Sequence, residues 1–80
     1  MSMTKLMTLR EYIRMQMVRT APYRRSERFG ELLQMIIGWT TNGLITDTEA
    51  ESLRTYLRAV YRELIELYTE EMESCFYEEP

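Results

Sequence analysis

The groups with the most obvious chemical potential in this sequence are glutamates near its C-terminus. Glu63, Glu66, Glu70 and Glu73 follow one another at spacings of three, four and three residues, which would place them on one face of a helix. Gathered carboxylates can hold a metal ion, but the metal sites of helical bundles add Glu-x-x-His ligands, and this chain has no histidine. We therefore predict no metal site and interpret the row as either an anionic docking surface or a solvated face.

The remaining residue types do not support catalysis. The chain has no histidine to act as a base and a single cysteine, Cys75. Cys–His nucleophiles, zinc sites built from Cys and His, and an internal disulfide are therefore excluded. The three glycines do not form a phosphate-binding loop. The sequence predicts a protein that is not an enzyme and needs no cofactor.

Apolar and aromatic residues alternate with the glutamates at the same end of the chain. They are Leu67, Tyr68, Met72, Phe76 and Tyr77. Aromatic anchors inside a charged rim are typical of protein interfaces, where the anchors provide affinity and the charges raise the association rate. The same spacing is also typical of an ordinary helix core, so packing within the chain is the alternative interpretation.

Positive charge is concentrated at the other end of the sequence. Residues 1–28 contain seven cations and two anions, a net charge of +5, whereas residues 46–80 contain ten anions and three cations, a net charge of −7. Arginines beside a tyrosine could contact phosphates and stack on bases. The cluster that could do so comprises Arg19, Tyr23, Arg24, Arg25 and Arg28. Solvation or pairing with the acidic helix are the alternatives, and the overall net charge of −3 disfavours nucleic acid.

Capping patterns predict where the helices that position these groups begin and end. Thr8 with Glu11, and Thr46 with Glu49, match the capping box S/T-x-x-E found at helix starts. The dipeptide at 42–43, Asn-Gly, is typical of a helix end. Three helices are therefore predicted, separated by short connections.

These elements predict an all-α fold, a three-helix bundle in a single domain of residues 1–80. The predicted helices cover about 8–20, 24–41 and 46–76, the last being a long C-terminal helix packed against the two shorter ones. Gly30 and Gly38 fall within the second helix, where glycine is unfavourable. Their presence predicts close packing against a neighbour at those two points.

Helix length determines which side chains stay exposed. At 1.5 Å per residue the third helix would span ~45 Å, whereas the first two would span ~20–27 Å. Neither short helix could then cover the last third of the long one, so residues from about Ile65 onward would project into water. An exposed apolar row of this length usually marks an interface.

We therefore predict a protein-binding module that docks on another protein, one with a basic surface, through its acidic and aromatic C-terminal helix. A concrete form of this hypothesis is a small inhibitor, of the kind that phages and mobile genetic elements encode, which mimics nucleic acid and occupies the nucleic-acid-binding surface of a host protein. Two alternatives stay open: nucleic-acid binding by the loop Arg19–Arg28, and a homodimeric assembly protein whose copies cover each other's projecting helix.

The sequence also bears on location. Its longest uncharged stretch, Leu32–Thr46, is interrupted by several polar residues and is too short and too polar for a transmembrane helix. The N-terminal segment lacks the continuous apolar run of a signal peptide. We predict a cytoplasmic protein that does not enter a membrane.

Overall fold

Three α-helices packed against one another make up the fold. The computed structural model describes the backbone of residues 2–77 and the side chains of residues 5–69. In chain order the elements are α1 (Ser2–Arg19), a 3-10 turn (Pro22–Arg24), α2 (Arg25–Thr41) and α3 (Asp47–Tyr77). The prediction of an all-α, three-helix bundle is confirmed, and this described part contains no strand. None of its helices has the length and hydropathy needed to cross a membrane.

The first helix begins six residues before the predicted start at Thr8, so that boundary was wrong. α1 starts at Ser2, because the segment between them contains neither glycine nor proline and nothing interrupts the helical pattern. Contacts with the α2–α3 connection also hold these turns. Lys5 Nζ donates to the carbonyl oxygen of Leu44 at 2.6 Å and lies 3.9 Å from Glu49. Tertiary contacts therefore extend the helix past a local capping pattern.

The hydrogen bonds at the start of α3 are those of the predicted capping box. The backbone N–H of Thr46 donates to Glu49 Oε1 at 2.8 Å, and the N–H of Glu49 donates to Thr46 Oγ1 at 3.1 Å. This reciprocal capping box satisfies two donors that a helix start otherwise leaves unpaired. Ile45 and Ala50 flank the box and are buried, and Gly43 makes the preceding turn with a φ of 76°. The short connection makes α2 and α3 run antiparallel.

A single hydrophobic core joins the three helices. Its buried members are Ile13, Met17, Leu32, Ile36, Ile45, Ala50, Leu53, Leu57 and Val60. Phe29 at the start of α2 stacks on Tyr61, and Arg14 in α1 lies 3.7 Å from Glu63. The corner between α1 and α2 therefore lies beside the middle of α3, just past Val60, the last buried core residue among the described side chains.

The two glycines within α2 do not mark close packing, so that prediction was wrong. A Cβ atom at Gly30 or at Gly38 would meet no other atom within 4 Å. Neither glycine has a positive φ, unlike Gly43 in the turn. Both helical positions therefore have room for a side chain, and glycine there only weakens the helix.

Replacing either helical glycine by alanine should stabilise the bundle. We expect Gly30→Ala and Gly38→Ala each to raise the free energy of unfolding by up to about 1 kcal/mol, because alanine loses less backbone entropy in a helix. Gly43→Ala is the control and should lower it by about 1–2 kcal/mol, because a left-handed φ is strained for alanine. Urea denaturation measures all three, and a loss of stability in both α2 variants would mean that a neighbour packs against them.

Candidate functional site

The C-terminal helix is much longer than the helices that cover it. α3 has 31 residues and spans ~46 Å, whereas α1 and α2 have 18 and 17 residues and span ~27 Å and ~26 Å. The radius of gyration is 15.3 Å, against about 12 Å for a compact chain of this length. The bundle is therefore elongated, with principal extents of 56 × 22 × 17 Å.

Three large apolar side chains of α3 are half exposed where this cover ends, as are others on α1 and α2, among them Met15, Val18 and Ile37. Leu64 still packs partly against the core. The next three large apolar residues are about half exposed: Ile65 at 47%, Leu67 at 48% and Tyr68 at 45%. We call residues 65–69 the uncovered segment of α3. It begins directly after the last core contact, at the residue from which the sequence predicted exposure.

Part of the predicted docking surface lies at this end of the bundle. Glu63 and Glu66 are exposed on α3, as neighbours of Leu67 and Tyr68 along the helix. The other five side chains of that prediction lie outside the described residues: Glu70, Met72, Glu73, Phe76 and Tyr77. α3 itself continues as a helix to Tyr77. Four of the nine predicted residues therefore lie together among the described side chains. The other five residues of the docking surface stay a prediction.

The glutamates of this surface are weakly paired. Glu63 Oε2 lies 3.7 Å from Arg14 Nη1, and both side chains are about half exposed. Exposed pairs of this kind contribute only ~0–1 kcal/mol. Glu66 forms no ion pair with any described side chain. Among the described side chains of this face, Glu63 and Glu66 are therefore accessible to a partner.

A groove with aromatic walls lies between the start of α2 and the middle of α3, and it consists of two adjoining concavities that share Tyr61 and Ile65. Four apolar or aromatic residues line it: Phe29, Tyr61, Ile65 and Tyr68. The rings of Phe29 and Tyr61 are stacked there at a centroid distance of 4.8 Å. Three arginines line it as well: Arg25, Arg58 and Arg62. We call this feature the aromatic groove, and Glu66 of the predicted docking surface also borders it.

The arginines of the aromatic groove form no ion pair with the described side chains. Arg58 and Arg62 form no ion pair there, and neither does Arg25. Arg25 Nε donates instead to the backbone oxygen of Met17, at 3.3 Å. Glu66 borders the groove without coming within 4.0 Å of these guanidinium groups. Positive charge at the groove is therefore offset only in part, by Glu66 at its border and by the electrostatic interaction of Glu51 with Arg58.

Sequence reasoning missed the aromatic groove. The only signal was the row Arg54, Arg58 and Arg62 at spacings of four, which is also the pattern of a solvated helix face. Arg54 pairs within its own helix: it donates to Glu51 at 2.7 Å, and this hydrogen bond lowers the pKa of the Glu51 carboxyl. The other two arginines border a gap between helices, which becomes apparent only once α2 is packed on α3.

The arginine loop forms a second concavity, on the α1 side of the corner. Four of the five residues predicted to bind nucleic acid line it together: Arg19, Tyr23, Arg24 and Arg28. Tyr23 is 85% exposed, so its ring is open to a stacking partner. Arg25 does not join them, because its side chain lies against α3 in the aromatic groove.

Local pairs within α2 neutralise part of this loop. Arg24 lies 3.5 Å from Glu27 and Arg28 lies 2.6 Å from Glu31. Arg19 forms no ion pair with a described side chain. Pairing with the acidic helix α3 was one interpretation of the sequence, but the partners of Arg24 and Arg28 lie on α2 instead.

Known proteins offer no guide to this surface. Comparison with protein-family models, with curated proteins and with solved structures gives no match to the chain. Any function must therefore be inferred from the chemistry of the chain's own surfaces.

Proposed function

We propose that this chain is a non-enzymatic protein-binding module whose contact surface is the end of α3 and whose partner is a protein with a basic surface. One observation carries the proposal: Ile65, Leu67 and Tyr68 are each about half exposed directly after the core ends. Apolar side chains clustered in water in this way mark a contact surface more often than a solvated one.

Burial by a partner would stabilise a complex in proportion to the apolar area removed from water, at ~25 cal/mol per Å². Leu67 and Tyr68 provide that area in the uncovered segment. Glu63 and Glu66 stand beside them and stay accessible. Apolar anchors next to acidic side chains combine affinity with electrostatic steering of the encounter.

The sign of the charge selects the partner. Residues 63–80 contain seven glutamates and no lysine or arginine. Such a segment would be repelled by nucleic acid and by acidic proteins, and attracted to a cluster of cations. A protein surface that itself binds phosphates is a natural source of such a cluster. The inhibitor predicted from the sequence, a nucleic-acid mimic in the cytoplasm, is the concrete form of this proposal.

Reversing the acidic row should abolish partner binding. We expect Glu66→Lys/Glu70→Lys/Glu73→Lys to reduce recovery of partner proteins in a pull-down at least about tenfold, equivalent to 1.4 kcal/mol or more of binding free energy. The matched control is Glu11→Lys/Glu27→Lys/Glu31→Lys, which changes the net charge equally but on α1 and α2. This control should recover the same partners as the natural sequence.

Two results would reject the proposed surface. One is unchanged recovery with the α3 triple variant. The other is equal loss with both triple variants, which would mean that only total charge matters. Circular dichroism must first establish that both variants retain the helix content of the natural chain.

Nucleic-acid binding is the second candidate, favoured by one observation. Tyr23 is 85% exposed within a concavity that Arg19, Arg24 and Arg28 also line, and an exposed ring beside guanidinium groups can stack on an unpaired base. Two of these arginines are already paired on α2, which lowers the charge available to phosphates.

A retardation assay distinguishes this candidate from the first. If the loop binds nucleic acid, mixed single-stranded oligonucleotides at ~50 mM salt should be retarded, since phosphate contacts are strongest at low salt. Arg19→Glu/Arg24→Glu should then remove the shift. Absence of any shift at that salt concentration rejects the candidate.

A further inference from the structure

The aromatic groove is open to solvent, and no described side chain fills it. Its apolar side consists of Phe29, Tyr61 and Ile65 with Tyr68. Its arginines form no ion pair with a described side chain. A ligand that suits both features must combine apolar or aromatic groups with several carboxylates, and it must be long enough to follow the gap between two helices.

We propose that the aromatic groove binds the C-terminal end of α3 from a second copy of this chain, and that two copies thereby form a two-fold symmetric dimer. The inference rests on the proposed function in one respect, because it uses the same end of α3 as the contact surface. The inference goes further because it identifies the basic surface that the end of α3 binds, namely the aromatic groove of the second copy.

The sequence of the C-terminal segment has the composition that the groove requires. Residues 70–80 contain five glutamates and no cation, together with Met72, Phe76 and Tyr77. Met72 and Phe76 follow Ile65 at spacings of seven and then four residues, which continues an apolar row along one side of a helix. Carboxylates of this segment would meet the arginines, and its apolar residues would meet the aromatic walls.

The chain's own C-terminal segment does not reach this groove. α3 is a single helix from Asp47 to Tyr77, and the groove borders it between Arg58 and Tyr68. Nine further residues carry the helix about 13 Å beyond Tyr68 along its axis. The segment therefore leads away from the groove, and a second molecule is needed to bring one to it.

A two-fold axis between the two copies would place the C-terminal segment of each copy beside the groove of the other. If two copies of α3 run antiparallel with the axis near residue 66, residue 70 of each lies level with residue 62 of the other, and residue 74 lies level with residue 58. Each C-terminal segment then passes the groove and its arginines. Every copy supplies one groove and one segment, so the arrangement is self-complementary and closes at two molecules.

The contact would be modest in size. Residues 58–74 of each helix would be paired, about 26 Å in length at 1.5 Å per residue and roughly 10 Å in width. Interfaces of this size belong to the weak and transient class. We therefore expect a dissociation constant on the order of micromolar, rising with salt because exposed charges are screened.

Charge exchange between the two surfaces tests the dimer. The natural protein, measured by sedimentation equilibrium from about 1 to 500 μM at ~50 mM salt, should change from monomer to dimer. Arg58→Glu/Arg62→Glu alters only the groove, and Glu70→Arg/Glu73→Arg alters only the segment. Each variant alone should raise the dissociation constant at least about tenfold.

Mixing the two charge-reversed variants gives the decisive result. The acidic groove of Arg58→Glu/Arg62→Glu should bind the basic segment of Glu70→Arg/Glu73→Arg. The second contact joins the natural groove of one variant to the natural segment of the other. A one-to-one heterodimer should therefore form, although neither variant forms a homodimer. Arg19→Glu/Arg24→Glu is the matched control, with the same charge change outside the groove, and it should dimerise as the natural protein does. Circular dichroism establishes that each variant is folded. If Arg58→Glu/Arg62→Glu does not fold, Arg58→Gln/Arg62→Gln is used in its place.

Three outcomes would overturn the inference: a natural protein that is monomeric at every concentration, a dimer unaffected by Arg58→Glu/Arg62→Glu or its Gln counterpart, or no heterodimer on mixing. A monomeric natural protein that still loses a partner when Glu66, Glu70 and Glu73 are reversed would leave the proposed function standing and reject only the dimer. A dimer that captures no other protein would reject the heterologous partner instead.

Discussion

The structure depends on how much of a long helix two short ones can cover. Apolar burial supplies most of the favourable free energy of such a bundle, and here it is concentrated where the three helices meet, up to Val60 and Leu64. Beyond that level α3 remains helical, since its helix is continuous to Tyr77, and Ile65, Leu67 and Tyr68 are each about half exposed. The exposed state of Leu67 and Tyr68 follows from this mismatch of lengths.

The fold also brings together charges that the sequence separates. The positive residues belong mainly to the first third of the chain and the negative ones to the last, yet the α1–α2 corner lies beside the middle of α3. Arg25 therefore shares a groove with Tyr61 and Tyr68. Among the described residues only Arg14 and Lys5 of α1 reach a carboxylate of α3 or of its cap. The arginines of the α1–α2 corner lie near α3 but form no ion pair with its described carboxylates.

Local patterns predicted the fold class and one helix start but failed at another. The box of Thr46 and Glu49 forms because a turn precedes it and its flanking apolar residues are buried. The same pattern at Thr8 lies inside α1, because the residues before it are themselves helix formers with a contact from Lys5 to the α2–α3 connection. A capping box predicts a helix start only where the preceding chain has a reason to leave the helix.

The candidate site could be predicted only in part, for a comparable reason. Exposure from Ile65 onward follows from helix lengths, which the sequence contains. The aromatic groove does not follow from helix lengths, because it depends on where the side chains of neighbouring arginines lie. Arg24 lines the concavity beside α1, whereas Arg25 lines the groove beside α3. Adjacent residues in the sequence thus belong to different surfaces, and only the packing of the helices separates them.

The most direct test of the account is one substitution made at two places on the same helix. Leu57 is fully buried and Leu67 is 48% exposed, so Leu57→Ala should lower the free energy of unfolding by about 2–5 kcal/mol and Leu67→Ala by less than about 1 kcal/mol. Urea denaturation at low micromolar protein, where self-association is weakest, measures both. A comparable loss at the two positions would contradict the account, because the chain itself would then bury Leu67 and leave no uncovered segment.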